Sequence, residues 1–338
     1  MKVCQYFTRL KGRKPLLVVC VFICVVLINK ILNRFVYCNE GKKVKSYRLV
    51  QAYVDNGLFQ FKSTQPLCQD PQKTPLNLLV MISSRPTHFD RRTALRESWI
   101  SLLSSDKRIR HFFIIGRSKT AFYNEIANTE GNIFNDIIQM DMEDTDENET
   151  NKSIAMLGWV HKNCAKVQYV LKINDDVFLN IHLLIKDLQH THKKNAVIGC
   201  RVDDSKTILN SVFRLVSFAQ FDRSKQPVYV KSSAYLITGD IISKMYMATH
   251  HVSNITTEDK YITGLCREYI KAEAVGHPGF SCGYRDKGPC GSNFRYAITG
   301  NHYYPDELVR MWKELNNRWS DCRLIDNYWV SYAFDVVN

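Results

Sequence analysis

The densest cluster of reactive side chains in this sequence is Lys172-Ile-Asn-Asp-Asp-Val-Phe178. Asn174, Asp175 and Asp176 close an apolar run, Tyr169 to Ile173, that reads as a buried strand. Ligand sites in open α/β sheets lie beyond the carboxyl ends of strands. Carboxylate oxygens at such a place suit Mg2+ or Mn2+, which bridge phosphate oxygens. The same residue types also favour an ordinary surface turn. A second cluster, Arg92-Thr-Ala-Leu-Arg96, sets two guanidinium groups four residues apart. On a helix they share a face, where they would clamp a diphosphate or serve structural ion pairs. A third, Thr257-Glu-Asp-Lys260, places Glu258 and Asp259 at the start of a helical pattern. That is a position for a general base or for an acidic first turn. The fourth is His302, in Gly300-Asn-His-Tyr-Tyr-Pro305, ahead of an amphipathic helix carrying Leu308, Met311, Trp312 and Leu315. It is a candidate metal ligand or a structural histidine.

The elements that must position these residues follow from periodicity. Leu78 to Ile82, His111 to Ile115, Ile137 to Met140, Tyr169 to Ile173 and Ala196 to Gly199 are short apolar runs expected to be strands. Between them, Asp90 to Leu103, Ala121 to Glu130, Ser153 to Cys164 and Ile181 to Gln189 have helical spacing. Asp141 to Glu149 reads as an acidic loop. Alternating strands and helices predict an α/β fold with a largely parallel sheet covered on both faces. No Walker or GxGxxG motif follows the first strand, which excludes P-loop and dinucleotide-binding readings. The chain beyond residue 200 is less regular and reads as an acceptor-binding half.

The net charge of +13 on 338 residues is unevenly placed. The first fifty residues hold eleven Lys or Arg and one acid, Glu40, which is +10; the remainder carries only +3. A nucleic-acid surface would sit on the folded domain, so no nucleic-acid partner is expected. The basic residues instead flank the apolar run Leu16 to Leu32, expected to be a membrane anchor with a cytoplasmic N-terminus. No Ala, Gly or Ser occurs between Lys14 and Glu40, so a signal-peptidase site is absent there and the anchor should stay uncleaved. The expected organisation is a cytoplasmic tail (1–15), an anchor (16–32), a stem (33–74) and a lumenal domain (75–338). Eight of the eleven cysteines follow the anchor without a CxxC zinc pattern, and in an oxidising lumen they should pair. Cys282 and Cys290 bracket a Gly-containing loop and are the expected local pair. Asn148, Asn151 and Asn254 head three N-glycosylation triplets.

Taken in order, these segments resemble the β-1,3-glycosyltransferases, the family of galactosyl-, N-acetylglucosaminyl- and fringe-type enzymes. The similarity runs from about Leu76 to Leu315. Arg92-x-x-x-Arg96-x-Ser-Trp99 resembles the family's Arg-x-x-x-Arg-x-Thr-Trp. Asp136 to Lys152 resembles its acidic segment, and Lys172 to Phe178 its Lys-x-Asp-Asp-Asp-Val-Phe. Glu258-Asp259 with Gly264 resembles its Glu-Asp-Val-x-x-Gly, and His302 with Pro305 and Trp312 its terminal block. The resemblance implies a GT-A-type fold and a Golgi-resident type II membrane protein. It implies inverting transfer of galactose or N-acetylglucosamine from a UDP-sugar, forming a β-1,3 linkage to a glycan on glycoprotein or glycolipid. Asp176 and His302 would hold Mn2+ (or Mg2+), and Asp259, beside Glu258, would be the base. Asn174, Asp175, Arg92 and Arg96 would face the nucleotide sugar. Two residues depart from the pattern: Asn174 replaces an Asp, and Lys260 replaces an apolar residue beside the base. They leave open a catalytically weak relative that binds glycans or stabilises a partner.

Overall fold

Leu78 to Ser83 is buried along its whole length, as a parallel strand covered on both faces must be. The structure, a computed structural model, describes residues 50–53, 60–63, 76–190, 193–203, 227–252, 257–283 and 296–316. The strands in chain order are β1 (Val50–Tyr53), β2 (Gln60–Ser63), β3 (Leu78–Ser83), β4 (Ile109–Arg117), β5 (Ile137–Glu143), β6 (Tyr169–Asn174), β7 (Phe178–Leu179), β8 (Ala196–Val202), β9 (Tyr229–Thr238), β10 (Glu273–Gly276) and β11 (Thr299–Gly300). The helices are α1 (Phe89–Glu97), α2 (Ala121–Phe134), α3 (Glu149–Asn163), α4 (Ile181–His190), α5 (Ile242–Ala248) and α6 (Pro305–Asn316). A π-helical segment covers Lys260–Cys266.

Nine strands form one sheet in the order β1-β2-β5-β4-β3-β6-β9-β8-β10, and β7 pairs with β11 in a second. Parallel pairing joins β5, β4, β3 and β6, and joins β8 to β10; β2 and β9 run against the rest. The result is a mixed α/β fold with a mostly parallel central sheet. Alternate residues feed two cores. Leu79, Met81, Phe112 and Ile114 pack on one face with Met156 and Trp159 of α3 and Met245 of α5. Leu78, Val80, Phe113 and Ile115 pack on the other with Leu95 of α1, Leu184 of α4 and Leu308 and Trp312 of α6.

Several boundaries differ from the sequence reading. The helix expected through Leu103 ends at Glu97, and Trp99–Ser105 continues as 3-10 helix. The expected acidic loop is shorter, because β5 runs to Glu143 and α3 starts at Glu149. Asp144 fixes that turn: its carboxylate accepts from the Gly116 N–H at 2.7 Å and from Lys152 Nζ at 2.7 Å. Gly116 is required there, since a Cβ would come within 2.8 Å of the Met142 carbonyl oxygen. β1 and β2 lie inside the stretch assigned to the stem and add to the sheet edge beside β5. The anchor at 16–32 lies outside the described residues, among which no helix is long and apolar enough to cross a membrane.

The chain runs β3→β4→β5 toward one edge and then crosses back to place β6 on the other side of β3. Ser83 pairs with Asn174 at the carboxyl ends of these two strands. That reversal is where open α/β sheets leave a crevice for ligands.

Candidate active site

The crevice is a cleft of about 260 Å³ between the carboxyl ends of β3 and β6. Ser83, Ser84 and Arg85 form one wall and Asn174, Asp175 and Asp176 the other. His88 and Arg91 enter from α1, Glu149 and Lys152 from α3, and Ser232 from β9.

Asp175 is the buried anchor of the motif, 5% exposed. One oxygen accepts from Ser84 Oγ and from His88 Nδ1, each at 2.7 Å; the other accepts from Arg91 at 3.0 Å. A carboxylate can only accept, so His88 carries its proton on Nδ1. Burial alone would raise the Asp175 carboxyl, but the bonds and charges of His88, Ser84 and Arg91 hold it below the usual carboxylate range.

Asp176, next along, points to the cleft mouth, where its Oδ2 lies 3.1 Å from His302 Nδ1. His302 adopts φ +66°, the left-handed region in which a non-glycine residue costs roughly 1–2 kcal/mol. Two contacts hold it there: Tyr303 N–H donates to the Asp176 carbonyl at 3.0 Å, and β11 pairs with β7 just after the motif. Backbone strain of this kind concentrates at functional sites. Residues 126 apart in sequence are thus brought together. Among the described residues no group of three or more His, Cys, Asp or Glu could hold a metal ion. A carboxylate and an imidazole at one cleft mouth still fit Mn2+ or Mg2+, which take remaining ligands from phosphate oxygens and water.

Glu149 accepts from Ser83 Oγ at 3.0 Å and sits between Lys152 (3.6 Å) and Lys172 (3.9 Å). Burial would raise its carboxyl; the charges of Lys172 and Lys152 outweigh that and lower it. Lys152 in turn donates to the Ser84 carbonyl at 2.9 Å. These contacts tie the start of α3 to the end of β3.

Glu258 and Asp259 have opposite settings. Glu258 is 6% exposed, and its Oε1 accepts from Ser153 Oγ at 2.6 Å and Tyr235 Oη at 2.9 Å. Its Oε2 is buried and has no hydrogen-bond partner among the described residues. Burial, only partly offset by Lys172 and these hydroxyls, raises its pKa. Asp259 is half-buried; its Oδ1 accepts from Thr257 Oγ1 at 2.6 Å and from the Lys260 N–H at 2.9 Å. Its other oxygen has no hydrogen bond among the described residues. The Lys260 ammonium lies 5.4 Å from the Tyr229 ring centroid.

Two sequence expectations are corrected. Arg92 and Arg96 do not face the cleft. Arg92 is fully buried and grips Glu130 through two bonds, at 2.8 and 2.6 Å, while donating to Ser84 and to the carbonyls of Arg85 and Pro86. Arg96 chelates Asp136 at 2.7 and 2.8 Å. Both are structural ion pairs, and the α1 guanidinium that reaches the cleft is Arg91, roughly 100° round the helix from Arg92. The expected Cys282–Cys290 bridge is replaced by Cys200–Cys282; Cys290 lies outside the described residues. Cys164 is also disulfide-bonded, and Cys266 is free and buried. The sequons are less open than their sequence implies. Asn151 Nδ2 donates to Asn148 Oδ1 at 3.1 Å, Asn148 Nδ2 donates to the Glu143 carbonyl at 3.0 Å, and Thr150 and Ser153 are buried. Asn254 lies outside the described residues.

Sequence reasoning missed His88, Arg91, Glu149, Lys152 and Ser232. Ser83-Ser84-Arg85 at a strand end was the one local signal available.

A family model described as Galactosyltransferase matches residues 90–277, more than half of the chain. Beta-1,3-galactosyltransferase 1 of mouse and human is 26% identical over 264 residues, covering 75% of this chain and 78% of the relative. Human beta-1,3-galactosyltransferase 5 is 26% identical over 260 residues, covering 75% and 83%. Among solved structures, a glycosyltransferase involved in glycosylation of the major capsid of PBCV-1 matches with TM-score 0.41 and 8% identity, covering 70% of this chain and 99% of that one. A TM-score this low does not establish a shared fold.

Proposed function

The chain belongs to the galactosyltransferase family, and from that premise we propose that it is an inverting UDP-sugar hexosyltransferase of GT-A type. It moves galactose or N-acetylglucosamine to a glycan acceptor in a β-1,3 linkage. The observation that carries this reading is the cleft at the β3/β6 reversal, where Asp176 meets His302 and Asp175 is locked by His88, Ser84 and Arg91.

Each residue then has a task. Asp175 fixes the motif loop and sets Arg91 and His88 along the wall where a diphosphate would lie. Asp176 and His302 would hold Mn2+ (or Mg2+), which when bound offsets charge on the departing diphosphate. Asp259 keeps one oxygen anchored and the other open, so it can take the proton of an acceptor hydroxyl as that hydroxyl attacks the anomeric carbon. Attack opposite the departing UDP turns an α-linked donor into a β-linked product.

The deciding experiment is UDP release by the purified segment 49–338, which keeps β1 and β2, with Mn2+, UDP-galactose or UDP-N-acetylglucosamine, and a panel of glycan acceptors. Acceptor-dependent release from one donor is expected. Equal release without acceptor would mean a hydrolase. Donor or glycan binding without turnover would favour the partner-stabilising alternative.

We also propose Golgi residence as a single-pass type II protein, supported by the basic flank of the apolar run 16–32 and by the lack of Ala, Gly or Ser between Lys14 and Glu40. In microsomes the C-terminal domain should be protected from added protease and lose mass on glycosidase treatment. A protease-exposed, unglycosylated domain would sink the topology.

A further inference from the structure

The neighbours of Asn174 dictate which way its amide points. Lys172 is 1% exposed, and its Nζ lies 2.9 Å from Asn174 Oδ1, 2.7 Å from the Ser232 carbonyl oxygen and 3.9 Å from Glu149 Oε1. An ammonium has three donors and no acceptor. The amide oxygen must therefore face Lys172; turning the amide over would set two donors against each other.

The amide nitrogen is thereby directed away from Lys172. Asn174 lines the cleft, and among the described residues its Nδ2 donates to nothing. It is a fixed, neutral donor with two N–H bonds to offer. Lys172 is itself held on a second side by the Ser232 carbonyl, so it cannot swing away and release the amide. The cleft lining otherwise carries four Lys or Arg and four carboxylates. A neutral residue at 174 keeps that balance.

We infer that Asn174 sets the polarity of this subsite: it donates to a hydrogen-free oxygen of the bound nucleotide sugar, a phosphate or a carbonyl oxygen. A carboxylate at the same place would accept instead, and would repel such an oxygen. The consequence is that Asn174→Asp, although it restores the residue usual in the resembled motif, weakens the site. The inference rests on the donor-binding reading above.

The test is calorimetric titration of wild type, Asn174→Ala and Asn174→Asp with UDP, UMP and uridine in saturating Mn2+, with melting temperatures as the fold control. A hydrogen bond to a charged group is worth enough for about a tenfold loss of UDP affinity in Asn174→Ala. Asn174→Asp should lose more. If the loss appears with UDP and UMP but not uridine, the partner is a phosphate oxygen; if it appears equally with uridine, the partner is a uracil carbonyl. Wild-type UDP affinity in Asn174→Ala, or equal or tighter binding in Asn174→Asp, overturns the inference. Failure of wild type itself to bind UDP would instead remove the donor-binding reading and this inference with it.

Discussion

Asp176→Ala should leave the fold standing and remove Mn2+-dependent binding of the nucleotide sugar, lowering transfer on the order of 10²–10³-fold or more. The stability half of this expectation follows from exposure. The Asp176 side chain is 19% exposed and its partner His302 62%, so their pair contributes no more than about 1 kcal/mol to the fold. The functional half follows from position. Asp176 is the carboxylate of the motif left at the cleft mouth, since Asp175 already spends both oxygens on His88, Ser84 and Arg91. A companion substitution separates ligation from folding. His302 sits at φ +66°, which glycine adopts without strain. His302→Gly should therefore hold or raise the melting temperature while weakening Mn2+ and donor binding. Calorimetry with Mn2+ and UDP reads both variants. Normal metal and donor affinity in Asp176→Ala would show that the cation is held elsewhere.

The strands that frame this site could be read from sequence because a strand buried on both faces is a continuous apolar run. β3, β4, β5 and β6 are such runs, and Asn174-Asp-Asp176 falls at the end of one of them. β9 could not be read the same way. Lys231-Ser-Ser233 interrupts its apolar pattern, and its extended form comes from pairing with β6 and β8. The arginines show a different limit. Spacing puts Arg92 and Arg96 on one face of α1, but it cannot say which face meets the cleft. Glu130 and Asp136, far along the chain, draw that face inward and leave Arg91 to the site. The disulfide follows the same rule. β8 and β10 pair in parallel, so Cys200, within β8, and Cys282, in the chain that follows β10, meet across a separation of 82 residues. Nearness in sequence favoured Cys290 instead. Contacts between residues far apart in the chain decide all three cases, and periodicity does not contain them.

Asp259→Asn should cut turnover by about 10²–10⁴-fold, the range for removing a general base, while UDP-sugar affinity changes less than about twofold. The substitution keeps the acceptor oxygen that receives Thr257 Oγ1 at 2.6 Å and the Lys260 N–H at 2.9 Å. What it replaces is the second oxygen, which has no hydrogen bond among the described residues and which, in the proposed mechanism, takes the proton of the incoming hydroxyl. Glu258 is the control within the same motif. Its carboxyl is buried, its pKa is raised by that burial, and its one bonded oxygen is taken by Ser153 and Tyr235. A side chain so enclosed ties α3, β9 and the π-helical segment together; it is not open to an acceptor sugar. Glu258→Gln keeps the shape and the accepting oxygen, so it should cost less than about tenfold in turnover. Glu258→Ala should instead lower the melting temperature, because it leaves the Ser153 and Tyr235 hydroxyls unpaired in a buried place. Single-turnover rates with a saturating donor separate chemistry from binding for all three variants. Near-normal rates in folded Asp259→Asn, or a larger loss in Glu258→Gln than in Asp259→Asn, would move the base away from Asp259.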